Sequence, residues 1–172
     1  MVDMQKICFI AHNIRSAHNI GSLLRTADGL GIRHVYMSGY TPYPRQPNDA
    51  RLPHIADKAS KLIHKTALGA EMSVEWSGGH EINNLINDLK KKDWLVIALE
   101  QSKNSVPIGS FHSNKNIAIV LGNEVQGVDK ETLEQCDKII EIPMVGHKES
   151  FNVTEAAAMA GYHLRYSSRN VQ

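Results

Sequence analysis

Two cysteines, Cys8 and Cys136, are the whole thiol content of this 172-residue chain, and they lie far apart in the sequence. They form no CxxC pair, so the sequence predicts neither a disulfide framework nor a zinc site and favours a reducing, cytoplasmic compartment. No apolar run approaches the roughly 18 residues that a transmembrane helix requires. The N-terminus also lacks a basic segment followed by a long apolar stretch, which argues against a signal peptide and against a membrane partner.

The motifs of several large enzyme classes are missing as well. No GxGxxG segment follows a predicted strand and no GxxxxGKS/T segment occurs, so dinucleotide and Walker-type phosphate sites are not supported. HExxH spacing is absent, and the sequence therefore predicts no metal site. A GxSxG segment is also absent, which removes the nucleophile elbow of the α/β-hydrolases.

Charge is present in nearly balanced amounts, with a net value of +1, but it is divided unevenly along the chain. Residues 1–65 contain nine Lys/Arg and four Asp/Glu, an excess of +5, whereas residues 66–172 contain ten and fourteen, an excess of −4. This division fits a face that binds a polyanion. It fits a solvated surface without a binding role equally well.

Short apolar segments alternate with helical patterns, which predicts an α/β fold with a mostly parallel sheet and helices on both faces. The predicted strands are 6–11, 34–37, 72–76, 94–99, 117–122 and 138–144. The predicted helices lie within 13–31, 55–64, 82–92, 129–135 and from about 152 onward. The chain has no internal repeat, low-complexity tract or linker, so we expect residues 1–172 to form a single domain.

Polar residues gather next to strand ends, where open α/β sheets bind ligands. In NIRSAHNIGSLLRTAD (13–28), Arg25 lies opposite the apolar stripe among small neighbours, and Asn19 is at the helix start. In IVLGNEVQGV (119–128), Glu124 directly follows a buried strand. A solvated arginine and a tight turn with an exposed carboxylate explain the same features without a ligand.

A third polar segment, IPMVGHKESFNVTEAAAMAG (142–161), joins the last strand to the last helix. Asn152 and Glu155 have the spacing of a capping box, so a role as helix cap is sufficient to explain Asn152. The helix then carries alanine and glycine where a core helix usually carries Leu and Ile. Small side chains let another backbone approach closely, which fits a buried helix and a dimer contact equally well.

Taken together, NIGSLLRTAD, IVLGNEVQGV and IPMVGHKESFNVTEAAA resemble the three motifs of the SpoU (TrmH-like) RNA 2′-O-methyltransferases of the SPOUT class. Their order matches, and the resemblance covers nearly the whole chain. It implies a C-terminal deep trefoil knot, which the residue pattern alone does not predict. It also implies S-adenosyl-L-methionine as cofactor and a homodimer whose active site is completed across the interface. The implied reaction is methyl transfer to a ribose 2′-hydroxyl of tRNA or rRNA.

The matching positions imply roles for individual residues. The catalytic set is Arg25, Asn19, Glu124, Ser150 and Asn152. The cofactor-binding set is Leu99, Leu121, Gly122, Ile142, Met144, Ser150, Phe151 and Asn152. Phe151 stands where several members of the family have Leu or Met, a conservative departure. The RNA-binding set is Arg15, Arg25, Arg45 and Arg51, within a wider basic group that includes Arg33, Lys58, Lys61 and Lys65.

The resemblance leaves the proton acceptor open. Family proposals make the arginine a general base, but its pKa above roughly 12 makes deprotonation costly. We therefore expect Arg25 at least to hold the RNA phosphate beside the target ribose through its bidentate fork. The sequence does not identify the RNA, although the short chain favours tRNA. The alternatives are a base methyltransferase of a related branch, an RNA- or cofactor-binding module without turnover, and a nucleotide-binding protein without an RNA role.

Overall fold

A computed structural model describes residues 5–167 of the chain, and its seven strands form one sheet. In chain order the strands are β1 (Ile7–His12), β2 (His34–Ser38), β3 (Trp76–His80), β4 (Leu95–Leu99), β5 (Val106–Pro107), β6 (Ile117–Leu121) and β7 (Lys138–Glu141). The helices are α1 (Ala17–Leu30), α2 (Pro53–Ala67), α3 (Ala70–Ser73), α4 (Ile82–Lys91), α5 (Lys130–Gln135) and α6 (Val153–Tyr166), with a 3-10 turn at Ile108–Ser110.

The sheet order is β3-β2-β1-β6-β4-β7-β5, and every neighbouring pair of strands is parallel. The carboxyl ends of all strands therefore lie at one edge, where the segments after β1, β4, β6 and β7 meet. Strand β7 lies between β4 and β5 although it follows both in the chain. The parallel α/β fold class is confirmed, whereas the threading of a trefoil knot stays a prediction.

The core has two layers because side chains of successive strand residues point to opposite faces of the sheet. In β1, Phe9 packs with buried residues of α1, α2 and α6, whereas Cys8 and Ile10 pack with α4. All of these strand side chains are fully buried. The predicted placement of helices on both faces is confirmed. In the described residues, no helix combines the length and the hydropathy needed to cross a membrane.

Helix α1 begins and ends with well-defined caps. Ser16 is its N-cap, and its hydroxyl accepts a hydrogen bond from the Asn19 backbone N–H at 3.2 Å. Gly31 ends the helix in the left-handed conformation, with φ of 60°. The guanidinium of Arg165 donates to the carbonyls of Leu30 and Gly31 at 3.2 and 2.7 Å. A cation at these carbonyls complements the helix dipole and ties α6 to α1.

One predicted strand was misplaced, and another was predicted to extend too far. The predicted strand at 72–76 was wrong, because Ala70–Ser73 form a helical turn and β3 is Trp76–His80. β3 has the sequence WSGGH, whose glycines hide the alternating pattern. The ring of Tyr43 lies where a side chain at Gly78 would begin, 2.1 Å from an ideal Cβ position. Strand β7 ends at Glu141 instead of residue 144, and Pro143 lacks the N–H that would extend the ladder.

Small residues in α6 are explained by packing within the chain. Ala157 and Ala160 are fully buried, and α6 packs on α1. An ideal Cβ at Gly161 would lie 2.8 Å from Leu30 Cδ1 and 3.3 Å from Phe9 Cζ. Of the two explanations that the sequence left open, a buried helix is therefore observed for these positions.

Gly161→Val should lower the free energy of unfolding by about 1–3 kcal/mol, because its side chain has to displace Leu30 and Phe9. Urea denaturation followed by circular dichroism would measure the loss. Ala158→Val is the matched control, since Ala158 is in the same helix but partly exposed. Equal losses in the two variants would contradict a packing limit at residue 161.

Candidate functional site

A cleft of about 570 Å³ lies at the carboxyl ends of β4, β6 and β7. Four segments line it: 99–101 at the end of β4, 121–127 at the end of β6, 141–142 at the end of β7, and residues 149–153 with Ala156 at the start of α6. The cleft thus unites two of the three polar segments that the sequence singled out, at the sheet edge where parallel α/β proteins bind ligands.

Most of the residues predicted to bind the cofactor lie together in this cleft. They are Leu99, Leu121, Gly122, Ile142, Ser150, Phe151 and Asn152. Met144 is half-buried in the loop after β7 and is not among the described residues that line the cleft. The shared location of the other seven residues supports the predicted cofactor-binding set, and a binding role for each residue stays a prediction.

The wall of the cleft between β6 and α5 is a tight turn, Gly122–Val128, whose shape is fixed by its own hydrogen bonds. The backbones of Asn123 and Gly127 bond to each other in both directions, at 3.0 and 2.9 Å. The Asn123 side-chain oxygen accepts from the N–H groups of Val125 and Gln126, both at 2.9 Å. Glycine is required at residue 122, where an ideal Cβ would lie 2.3 Å from the Gly127 carbonyl carbon.

Glu124 connects this turn to the start of α1. Its carboxylate accepts hydrogen bonds from the backbone N–H groups of Arg15 and Ser16, each at 3.0 Å. The side-chain amide of Asn19 donates to it at 2.9 Å. Two residues of the predicted catalytic set are therefore in direct contact, and the first two sequence motifs meet through a single carboxylate.

These contacts determine the ionisation of Glu124. Burial raises the pKa of its carboxyl group, but the hydrogen bonds from Arg15, Ser16 and Asn19 outweigh burial and hold the pKa below its ordinary value. Glu124 is therefore ionised at neutral pH. A carboxylate that is stabilised in this way is a poor proton acceptor and a good anchor for the loop before α1.

Arg25 is exposed on α1 and is not among the described residues that line the cleft. It follows Asn19 by six residues, which places it about 9 Å farther along the helix axis. Within one chain, the structure does not bring Arg25 to the cleft that holds Ser150 and Asn152. The predicted catalytic set is thus divided between the cleft and an exposed position on α1.

Asn152 has the capping role that the sequence predicted. Its side-chain oxygen accepts from the backbone N–H and the hydroxyl of Thr154, at 2.9 and 2.7 Å, and Asn152 is the N-cap of α6. Asn152 also lines the cleft, together with Ser150 and Phe151. A cap at this position fixes the start of α6 against the cleft.

The arginines of the predicted RNA-binding set differ in how they are engaged. Arg51 donates to both carboxylate oxygens of Asp49, at 2.8 and 2.6 Å, and to the Tyr43 carbonyl at 2.9 Å. Its guanidinium also stacks on the Tyr43 ring at 3.5 Å from the centroid. Arg45 forms an exposed pair with Asp57 at 2.9 Å, and Arg15 is exposed beside the Glu124 anchor. Arg51 therefore holds together the loop between β2 and α2, which contains Pro42, Pro44 and Pro47.

A buried histidine at the end of β1 was missed by the sequence analysis. His12 Nδ1 lies 2.9 Å from the Ser38 hydroxyl, and its Nε2 lies 3.1 Å from Asn13 Nδ2 and 3.3 Å from Asp129 Oδ2. Burial lowers the pKa of His12, and the nearby Asp129 opposes this only in part. The Asn13 carbonyl in turn accepts from the Asn123 side chain at 3.1 Å, so this histidine supports the turn of the cleft.

Four carboxylates give the cleft its charge: Glu100, Glu124, Glu141 and Glu149. No Lys or Arg is among the described residues that line it. Such a lining favours a ligand with positive charge. Among residues 5–167, no group of three or more His, Cys, Asp or Glu side chains is arranged to hold a metal ion.

Comparison with known proteins relates the chain to one family. Residues 6–162 match the model of the SpoU rRNA Methylase family. A 23S rRNA (guanosine-2′-O-)-methyltransferase of Bordetella pertussis is 28% identical over 163 residues, which cover 94% of this chain and 60% of that protein. A tRNA (guanosine(18)-2′-O)-methyltransferase of Aquifex aeolicus is 28% identical over 155 residues, which cover 88% of this chain and 65% of that protein.

Solved structures of the same family share the fold. The SpoU methyltransferase AviRb from Streptomyces viridochromogenes, in complex with AdoMet, superposes with a TM-score of 0.80 at 18% sequence identity. The alignment covers 100% of this chain and 61% of that chain. This chain thus spans about three fifths of the length of the curated relatives it matches.

Acidification should destabilise the fold from about pH 6.5 downward, before the carboxylates begin to titrate. Burial holds the pKa values of His12, His34 and His80 below their ordinary 6.5. As the pH falls through this value, the unfolded chain therefore binds protons that the folded chain does not. Stability from this source is complete above the unfolded pKa and is lost as the pH falls toward the folded pKa.

Urea unfolding at a series of pH values from about 8 to about 5 would test this dependence. His12→Gln removes one titrating group, so its stability should fall less steeply over this interval than that of the wild type. A slope that His12→Gln leaves unchanged would show that this histidine does not contribute.

Proposed function

Because this chain belongs to the SpoU rRNA Methylase family, we propose that it transfers a methyl group from S-adenosyl-L-methionine to a ribose 2′-hydroxyl of tRNA or rRNA. The observation that carries the proposal is the cleft at the ends of β4, β6 and β7, where seven of the eight predicted cofactor residues lie together. The two curated relatives named above are 2′-O-methyltransferases, one of rRNA and one of tRNA.

The cleft suits this cofactor in size and in chemistry. Its volume of about 570 Å³ is within the usual range for sites that bind small molecules. Leu99 and Ile142, both partly exposed, supply apolar surface for the adenine ring, next to strand ends whose backbone groups can bond its polar edge. The four carboxylates favour the sulfonium and ammonium charges of the methionine part.

Two residues of the chain have defined parts in the proposed reaction. When bound, the cofactor supplies an electrophilic methyl group and leaves as a neutral thioether that needs no proton. As the carbon–oxygen bond forms, the proton of the 2′-hydroxyl would pass to solvent water. In-line alignment of the hydroxyl with the methyl group would supply a large part of the rate. Arg25 would hold the neighbouring phosphate through its bidentate fork. Glu124, ionised and held by three hydrogen bonds, would fix the start of the helix that carries Arg25.

The structure does not place Arg25 at the cleft within one chain. We propose that the protein is a homodimer in which Arg25 of one copy reaches the cleft of the other. An exposed apolar stripe on α6 supports this part of the proposal. Met159, Tyr162 and Tyr166 are 38, 61 and 42% exposed, and the two tyrosine rings lie 4.7 Å apart. Phe151, 40% exposed, adds apolar surface where this helix meets the cleft. We propose that a second copy covers this stripe and brings its own α1 to the cleft of the first.

RNA would approach a surface that begins at the loop before α1 and continues along α2. Arg15 and Arg25 are exposed on the α1 side, and Lys58, Lys61 and Lys65 are exposed on α2. Phosphate contacts of this kind give affinity that falls with salt concentration. We propose tRNA as the first substrate to test, with rRNA as the alternative.

Both cysteines are free, which fits a reducing cytoplasm.

The reaction is tested with purified protein, S-adenosyl-L-methionine labelled on the methyl group, and separated tRNA and rRNA fractions from cells that lack this gene. The product is digested to nucleosides, and a labelled 2′-O-methylnucleoside in one fraction is the expected result. Label on a base would assign the chain to a different branch of chemistry. Cofactor binding without label in either fraction would favour a binding module.

Arg25→Ala should reduce methyl transfer by at least about 100-fold while changing the Kd for S-adenosyl-L-methionine by less than about twofold. Lys92→Ala, which removes an exposed cation at the end of α4 on the other face of the sheet, is the matched control and should retain most of the activity. The two measurements are turnover of labelled cofactor and isothermal titration calorimetry. Near-wild-type turnover in Arg25→Ala would remove this residue from the catalytic role.

Tyr162→Glu should convert the proposed dimer into a monomer, because it buries a charge in the apolar stripe of α6. Light scattering coupled to size-exclusion chromatography would give the mass. Met72→Glu is the matched control, since Met72 is 87% exposed on α3 and should leave the dimer intact. A wild-type protein that is monomeric at micromolar concentration would contradict the homodimer.

A further inference from the structure

We propose that Glu100 is a positioning residue for the cofactor cleft, in which it fixes the Gly122–Val128 turn against the end of β4. This inference rests on the proposed function, because the ligand whose affinity it controls is S-adenosyl-L-methionine. Glu100 follows β4 directly and is partly buried, and its own backbone N–H donates to the Ile140 carbonyl at 2.9 Å. The side chain thus starts from a fixed point between β4 and β7.

The carboxylate of Glu100 bridges two segments that line the cleft. One oxygen, Oε2, accepts from the backbone N–H of Val128 at 2.8 Å. The other, Oε1, accepts from the backbone N–H of Gln101 at 2.9 Å. Hydrogen bonds to an ionised acceptor are stronger than neutral ones, so this carboxylate holds the end of the turn at a defined distance from β4.

Gly127 shows that the turn is built around this carboxylate. An ideal Cβ at Gly127 would lie 2.1 Å from Oε2 of Glu100, so any other residue would collide with the carboxylate. Gly127 also has a φ of 70°, which favours glycine for a second reason. Backbone and carboxylate are therefore in direct contact, and the turn cannot move toward β4 while Glu100 is in place.

The turn is consequently held from both sides. Glu124 ties it to the N–H groups before α1, and Glu100 ties it to the end of β4. Between these anchors, residues 122–127 form one wall of the cleft. A wall that already has its bound shape avoids the entropy cost of ordering a loop on binding. Loss of the Glu100 anchor should therefore weaken the binding of any ligand that contacts this wall.

Glu149 provides a matched control. It also lines the cleft, but its backbone carbonyl, which accepts from the Gln101 side chain at 2.8 Å, makes the contact with the β4 side. Glu100→Gln and Glu149→Gln each remove one negative charge from the same cleft. Only Glu100→Gln places an amide N–H₂ group against a backbone N–H, whichever way the amide is turned.

Isothermal titration calorimetry with S-adenosyl-L-methionine and with S-adenosylhomocysteine would test the inference on the full chain. In Glu100→Gln, both ligands should bind about tenfold more weakly, because the wall they share is no longer fixed. In Glu149→Gln, which removes the same charge from the cleft but no hydrogen bond to the turn, the Kd for S-adenosylhomocysteine should rise several-fold less than in Glu100→Gln. Hydrogen exchange of the Val128 amide should become faster only in Glu100→Gln.

Different outcomes separate this inference from the proposed function. Binding of both ligands to Glu100→Gln with wild-type affinity would overturn the positioning role and leave the methyltransferase proposal intact. Weaker binding of S-adenosyl-L-methionine alone would also overturn it, because it would indicate a direct charge contact with the sulfonium. A wild-type protein that binds neither ligand would overturn the proposed function and, with it, the role of Glu100.

Discussion

The carboxylate of Glu124 is the contact on which the arrangement of the site depends. It joins the turn after β6 to the loop before α1, across more than one hundred residues of chain. A carboxylate can accept several hydrogen bonds at once, so one side chain satisfies N–H groups that a helix start leaves without partners. The orientation of α1, and with it the position of Arg25, therefore depends on an interaction that originates in another motif.

Hydrogen bonds between side chains and the backbone hold the turn after β6 in one shape. The Asn123 side-chain oxygen accepts a hydrogen bond from within its own turn, and its amide nitrogen donates to the Asn13 carbonyl. The side chain of Asn13 is in turn hydrogen-bonded to His12. Burial keeps His12 neutral at neutral pH, so it places no charge beside the turn. Loops that carry function are usually the mobile parts of a fold, and here the hydrogen bonds of two strand ends oppose this tendency.

The sequence pattern of short segments predicted the strands and helices that depend only on neighbouring residues. The continuous apolar runs of β4 and β6 predicted buried parallel strands, whereas the start of α1 was placed at Asn19 although its N-cap is Ser16. Strand β3 was misplaced because it contains glycines where the Tyr43 ring packs against the strand. This contact is distant in sequence, so no local pattern reveals it. Motif resemblance predicted the cluster of cofactor residues. It could not predict which of them face the cleft, and Met144 lies outside it.

The charge excess of residues 1–65 illustrates the same limit for function. A count of cations treats Arg51 and Arg25 alike. The guanidinium of Arg51, however, already contacts a carboxylate, a backbone carbonyl and an aromatic ring. A guanidinium held in this way would have to give up those partners before it could bind a phosphate, whereas Arg25 is exposed on α1. The face available to a polyanion is therefore narrower than the sequence suggests. The face that we propose for RNA is centred on α1 and α2, beside the carboxylate that fixes the start of α1.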